Sequence, residues 1–179
     1  FFAISAFVFG KKTKGFPHHL GWTPFSNDRG KSFSKTIWFF ALSVGEVGSV
    51  VPLIKALREQ QPDLKIVVSV TTEAGFETAK NSLNFVENLF YHPLDFWPFW
   101  ERALRRVRPD LFVLTETGFW PGQLLLMNKL KIPSYLFQGR ISKKSANTYK
   151  KLPALSNAMV NCFKTLCVQS KDGESKLKS

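Results

Sequence analysis

Residues Thr36–Gly75 read TIWFFALSVGEVGSVVPLIKALREQQPDLKIVVSVTTEAG. The apolar run Ile37–Leu42 predicts a buried strand. Glu46–Gln60 has helical spacing, with Val47, Val50, Val51, Ile54 and Leu57 on one face. Pro52 lies inside that span and is expected to kink it. Lys65–Val70 (KIVVSV) predicts a second strand, and Glu73–Ser82 a second helix. Working outward, the alternation persists. Leu89–Tyr91 reads as a short strand. Trp97–Val107 reads as a helix, with Trp97, Trp100, Ala103, Leu104 and Val107 inward and Arg102, Arg105, Arg106 and Arg108 outward. Leu111–Leu114, Ser134–Phe137 and Thr165–Val168 read as strands. Trp120–Lys131 reads as a helix, and a Lys-rich helical stretch runs from Ser142 to about Pro153. Strands alternating with helices of this length build βαβ units, hence an α/β fold with a parallel sheet covered on both faces. Ligands of such sheets bind beyond the carboxyl ends of the strands, where the strand order reverses.

Composition narrows the function classes. The 179 residues are 44% apolar and 21% charged, the balance of a globular chain. Lys and Arg number 25 against 13 Asp and Glu, a formal charge of +12. That charge calls for an anionic partner: nucleic acid, a phosphorylated substrate or an anionic membrane surface. Two cysteines, Cys162 and Cys167, exclude a disulfide framework, and three histidines speak against a His/Cys metal cluster. No metal site is therefore expected. The glycines form neither G-x-G-x-x-G nor a P-loop, which argues against dinucleotide binding and NTP hydrolysis.

Residues 1–35 read as an apolar and basic arm ahead of a domain spanning residues 36–179. Phe1–Phe9 is almost wholly apolar, and Lys11, Lys12 and Lys14 follow it. Nine residues rise about 14 Å as a helix, half a bilayer core. They read either as the end of a membrane anchor with its cytoplasmic basic flank, or as an arm packed on the domain. The chain begins without Met and ends inside an opening helical pattern, so a longer parent protein is expected.

The strand ends carry the candidate chemistry. After the first strand, Ser43-Val44-Gly45-Glu46 places a flexible glycine before a carboxylate in a first helical turn. The helix N-terminus is expected to keep Glu46 ionised, as a general base requires; the alternative is a capping carboxylate. After the second strand, Thr71 and Thr72 precede a helix start suited to an anion or sugar, or Thr72 acts as an N-cap. Glu116 ends the strand at Leu111, beside Trp120 and Pro121. It reads as a hydroxyl-binding or supporting carboxylate, or as a buried one satisfied by backbone N–H groups. After the strand at Ser134 come Gln138, Gly139, Arg140 and Ser142. Arg140 there is able to clamp a phosphate, and Lys143, Lys144, Lys150 and Lys151 extend the charge, alternatively as a solvated helix face. Asp95 reads as a cap for the helix that follows it.

The segments IWFFALSVGEVGSVVPLIKALREQQPD, VTTEAG, RRVRPDLFVLTETGFWPG, IPSYLFQGRISKKSANTYKKLP and LCVQS resemble the N-terminal half of 3-deoxy-D-manno-octulosonic acid (Kdo) transferases. The S-V-G-E turn, the E-T-x-x-W-P segment and the G-R-x-S turn together carry the resemblance. It implies a Rossmann-like parallel sheet flanked by helices, the N-terminal, acceptor-binding domain of a GT-B glycosyltransferase, with the donor domain absent. Such enzymes move Kdo from the sugar nucleotide CMP-Kdo to a lipid A precursor with inversion. They do so in lipopolysaccharide biosynthesis, at the cytoplasmic face of the Gram-negative inner membrane. The resemblance makes Glu46 the general base and Glu116 a second catalytic carboxylate. It assigns Ser43, Gly45, Thr71, Thr72, Gly139, Arg140 and Ser142 to the acceptor, and implies no metal and no cofactor beyond the donor. The chain departs from the family at Gly118 and Gly122, where a Glu and an Asn are expected, and at Phe119 and Gln138. The implied partners are the lipid A precursor and an anionic membrane surface, with no nucleic acid. Two alternatives remain: a divergent glycosyltransferase with another acceptor, and a basic nucleic-acid-binding α/β module. By itself the chain is expected to lack transferase activity.

Overall fold

A computed structural model describes residues 15–24, 32–116, 120–140, 151 and 153–170. A short helix α1 (Phe16–His19) precedes β1 (Lys35–Ala41), α2 (Val44–Gln60), β2 (Leu64–Val70), α3 (Glu73–Ser82) and β3 (Asn88–Tyr91). Then follow α4 (Trp97–Val107), β4 (Leu111–Thr115), α5 (Pro121–Lys129), β5 (Ser134–Gly139), α6 (Pro153–Val160) and β6 (Phe163–Val168). The six strands form one sheet in the order β3-β2-β1-β4-β5-β6, with every adjacent pair parallel. β1 pairs with β2 on one side and β4 on the other, so the strand order reverses beside β1. The Rossmann-like sheet flanked by helices expected from the sequence is the one found.

The alternation of β1 divides the core. Trp38 and Phe40 point to one face, where they meet Phe90, Trp100, Phe112, Leu124, Met127 and Met159 from strands and from α4, α5 and α6. Trp38 lies 5.4–5.8 Å, centroid to centroid, from the rings of Trp100, Phe90 and Phe112. Phe39 and Ala41 point the other way, onto Val47, Val50 and Ile54 of α2 and Ala79 of α3. A strand apolar on both faces can only lie at the centre of a two-layered cover. At the amino end of the sheet, the half-buried Arg58 of α2 pairs with Glu87 at 2.6 Å. Glu87 also accepts the N–H of Ile66, tying α2 to β2.

Several expectations change. α2 begins at Val44, two residues before the expected Glu46, and runs to Gln60 with Pro52 inside it. Pro52 is exposed, so the carbonyl it leaves unbonded, that of Gly48, is on the solvent side. Trp97 is not core: it is 61% exposed, whereas Trp100, Ala103, Leu104 and Val107 are buried as expected. Trp97 is the first residue of α4, and side chains of a helix lean toward its N-terminus, here past the end of the packed face. Pro153 opens a helix, a common place for proline. Residues 15–24, read as part of the arm, lie against β3 and α4: Asn88 Nδ2 donates to the Pro24 carbonyl at 2.8 Å, and Leu94 N–H to that of His19 at 3.0 Å. Phe1–Phe9, the basic cluster at 11–14 and the Lys-rich stretch from Ser142 lie outside the described residues. Among the described residues no helix is long and apolar enough to cross a membrane.

Candidate active site at the switch in strand order

In sheets of this order the ligand crevice lies where the strand order reverses, here between the carboxyl ends of β1 and β4. Glu46 stands on one side of it and Glu116 on the other. Glu46 is in the first turn of α2, 8% exposed, and neither sealed off nor fully hydrated. Its Oε2 accepts the backbone N–H of Leu42 at 2.5 Å, so the carboxylate curls back over the residue that leaves β1. Burial pushes its pKa up to about 7, outweighing the Leu42 N–H, which lowers it; the charge of Glu116 raises it further. This corrects the expectation that the helix N-terminus keeps Glu46 ionised. Ser43 makes no side-chain cap there, and desolvation prevails over the dipole. A carboxylate with a pKa near 7 is the stronger base for it, half charged at neutral pH.

The Leu42 peptide links this carboxylate to the next strand end. Its N–H donates to Glu46, and its carbonyl accepts the N–H of Thr72 at 3.1 Å. Gly75 permits the approach: a Cβ there would come within 2.8 Å of Thr72 Oγ1 and 3.1 Å of the Ser43 backbone. Thr72 takes the capping role, accepting the Gly75 N–H at 3.2 Å. Thr71 and Thr115 are different. Their hydroxyls are buried with no partner among the described residues. Thr115, the last residue of β4, was not singled out from sequence.

Gly45 also departs from expectation. It sits within α2 rather than at a tight turn, and a Cβ built on it would meet nothing within 4 Å. The backbone does not require glycine there; glycine leaves the space beside Glu46 open. Glu116 has a left-handed backbone, φ 59°, and Gln138 at the end of β5 has φ 53°. Side chains other than glycine adopt that region at a cost of about 1–2 kcal/mol, and such residues gather at functional sites. Glu116 N–H is held by the Phe137 carbonyl at 2.9 Å. Gly139 is buried at an irregularity in the β5–β6 register, and Arg140 is exposed beyond it, one strand farther from Glu46 than Glu116 is. The structure thus brings Ser43, Glu46, Thr71, Thr72 and Glu116 to one end of the sheet's centre, with Gly139 and Arg140 along the rim. Ser142, Gly118 and Phe119 lie outside the described residues.

Two further groups support the crevice from beneath. Asp95 does not cap α4. Its carboxylate accepts the N–H groups of Gly122 and Gln123 at 3.0 and 2.8 Å, and so caps α5, a helix 26 residues farther on. Burial raises its pKa, and those two N–H groups pull it back down. A Cβ at Gly122 would stand 2.6 Å from Asp95 Oδ1, which gives the missing side chain at 122 a local reason. His92, fully buried, stacks on Phe40 with centroids 3.4 Å apart and bonds to Ser69 Oγ at 2.8 Å and Gln123 Oε1 at 3.3 Å. Burial holds it well below the usual histidine range, so it is a neutral strut between β2, β3 and α5.

The comparisons bear on what this crevice belongs to. Residues 14–179 match the family model described as 3-deoxy-D-manno-octulosonic-acid transferase (kdotransferase). The chain is 32% identical over 136 residues to the 3-deoxy-D-manno-octulosonic acid transferase of Haemophilus influenzae, covering 74% of this chain and 31% of that protein. It is 34% identical over 109 residues to a probable mitochondrial 3-deoxy-D-manno-octulosonic acid transferase of Arabidopsis thaliana, covering 61% of this chain and 24% of that protein. The chain thus spans a quarter to a third of the curated relatives it matches. In fold it is similar to the UDP-GlcNAc 2-epimerase of Neisseria meningitidis, at 13% identity and a TM-score of 0.54 over 80% of this chain and 43% of that one. It is also similar to MnaA of S. aureus, at 16% identity and a TM-score of 0.58 over 80% and 41%. The family-model match over residues 14–179 and the similarity to these transferases place this chain in the 3-deoxy-D-manno-octulosonic-acid transferase family.

Proposed function

We propose that the chain is the acceptor-binding half of a GT-B glycosyltransferase that moves Kdo from CMP-Kdo to a lipid A precursor in lipopolysaccharide biosynthesis. The observation that carries this reading is the desolvated carboxylate of Glu46 at the switch in strand order, with a pKa raised to about 7. In the reaction, Glu46 takes the proton from an acceptor hydroxyl as that oxygen bonds to the anomeric carbon. CMP leaves from the opposite face, so configuration inverts. Glu116 lifts the basicity of Glu46 and meets the acceptor from across the crevice. The free hydroxyls of Thr71 and Thr115 supply donors to its oxygens, and Arg140 on the rim receives a phosphate. The donor is held mainly by a second lobe outside this chain, so the chain alone binds acceptor without turnover. The net charge of +12 supports work at the anionic cytoplasmic face of an inner membrane.

A divergent acceptor is the second reading, favoured by Gly122. Asp95 fills the space into which an Asn side chain would project, so any acceptor contact made there by other members is absent here. The experiment for the principal reading is Glu46→Gln in the full-length enzyme. The exchange keeps an acceptor for the Leu42 N–H and removes the base. Transfer is expected to fall by about 10²-fold or more with circular dichroism unchanged. Normal turnover by Glu46→Gln would refute the assignment.

A further inference from the structure

Among the described residues, four other than glycine have a left-handed backbone: Arg108, Glu116, Lys131 and Gln138. Arg108 caps α4, and Lys131 follows the cap of α5, where that conformation is a usual way to stop a helix. Glu116 and Gln138 have no helix behind them. They stand at the ends of neighbouring strands. Thr115 pairs with Phe137, so the next residues, Glu116 and Gln138, lie side by side. Glu116 N–H donates to the Phe137 carbonyl at 2.9 Å, which ties the two strand ends together. Gln138 also lies in a bulge. From Leu136 to Gly139 β5 takes three residue steps, while β6 takes two from Leu166 to Val168. Bulges re-aim a side chain and are frequent next to active sites. Gly139 closes this one, since a Cβ there would stand 2.5 Å from Leu136 Cδ2. Gln138 is half-buried, and its Oε1 accepts from Gln169 Nε2 at 3.4 Å. Gln169 is itself held, its N–H donating to the Gly139 carbonyl at 3.1 Å. With that oxygen engaged, Nε2 of Gln138 has no partner among the described residues. Glycine and asparagine adopt a left-handed backbone more readily than glutamine does. The turn gives no reason for glutamine, so the reason lies in the amide.

We propose that Gln138 is a specificity-determining residue for the acceptor: its amide N–H and the Glu116 carboxylate together grip one hydroxyl of the acceptor sugar. A hydroxyl donates one hydrogen and accepts at its lone pairs. A carboxylate only accepts, and an amide nitrogen only donates. Side by side, the two satisfy both halves of a hydroxyl. A phosphate offers acceptor oxygens and negative charge, which Glu116 repels. Arg140, two residues beyond Gln138, suits that group instead. The pair of strand ends thus selects a neutral polar group and holds it along the rim from Glu46. The proposal rests on the reading of this lobe as acceptor-binding and deepens it.

The test is steady-state transfer by the full-length enzyme to purified lipid A precursor, with acceptor and donor varied separately. Gln138→Gly removes the amide and suits the left-handed backbone. Its melting temperature should hold or rise, and its KM for the acceptor should rise about tenfold, with its KM for CMP-Kdo at the parent's value. Gln138→Glu keeps the length but sets a second acceptor group beside Glu116, so its acceptor KM should exceed that of Gln138→Gly. Gln138→Asn keeps an amide and tolerates the backbone, and should recover part of the lost affinity. An acceptor KM unchanged in Gln138→Gly would overturn the proposal and leave Gln138 a purely structural turn. An acceptor KM lower in Gln138→Glu than in Gln138→Gly would also overturn it, because the amide N–H would then not be the contact. No transfer by the parent would refute the acceptor reading and this proposal with it. Transfer by the parent with KM flat across the three variants refutes this proposal alone. Glu46→Gln acts on kcat, so a failed base assignment leaves the KM result standing.

Discussion

At Glu46, burial and hydrogen bonding act in opposite directions, and burial prevails. The folded-state pKa of about 7 lies above the ordinary 4.5. Between those values the folded chain binds more protons than the unfolded one. Glu46 therefore subtracts from stability as pH rises from 4.5 through 7, and its full cost is present above 7. A gap of that size corresponds to about 3 kcal/mol. Glu46→Gln should accordingly make the domain about 3 kcal/mol more stable than the parent at pH 8, with the difference gone near pH 4, measured by urea melts at both values. Equal stability at pH 8 would mean that the carboxylate is solvated. Gly45→Ala should separate stability from function in a second way. The added methyl meets nothing, and alanine favours a helix over glycine by about 0.5–1 kcal/mol. Melting should hold or rise, while transfer by the full-length enzyme falls because the approach to Glu46 narrows. Retained transfer would show that the acceptor does not pass Gly45.

Among the elements, strands and helices were legible because their signals are local. β1 is apolar on both faces, and α2 and α3 carry their period in consecutive residues. What the sequence hid was tertiary. Nothing near Asp95 announces that its partners are Gly122 and Gln123. Those N–H groups reach it only because β3 and β4 feed α4 and α5 onto the same face of the sheet. Trp97 has the right spacing for the core and the wrong place in the helix. The raised pKa of Glu46 is likewise a property of burial, which a first-turn position cannot reveal; the dipole alone points the other way. The backbone strain at Glu116 leaves no mark either, since glutamate is not a residue that signals a left-handed conformation. The cap at α5 is testable on its own. Asp95→Ala leaves two N–H groups without their acceptor and should cost about 1–2 kcal/mol in urea melts. Gly122→Ala should cost a similar amount by displacing the same carboxylate. Unchanged stability in both would mean that α5 does not depend on Asp95.

For the molecule as a whole, the sheet order sets the division of labour. Strand order reverses beside β1, so the crevice forms between β1 and β4, and the residues best placed for chemistry are those that leave these two strands. That is where Glu46, Glu116 and Thr115 lie, with Thr71 at the end of the neighbouring β2. The two cores beneath them hold the strand ends in place, and His92 and Asp95 lock α5 to the same end. The claim on which these relations depend is that Glu46 acts as base with an elevated pKa. Its most direct measurement is the pH dependence of kcat/KM for Kdo transfer by the full-length enzyme. The rate should rise tenfold per unit on the acid side and level off near pH 7, with that limb absent from the residual activity of Glu46→Gln. A limb centred near 4.5, or one that survives Glu46→Gln, would contradict it.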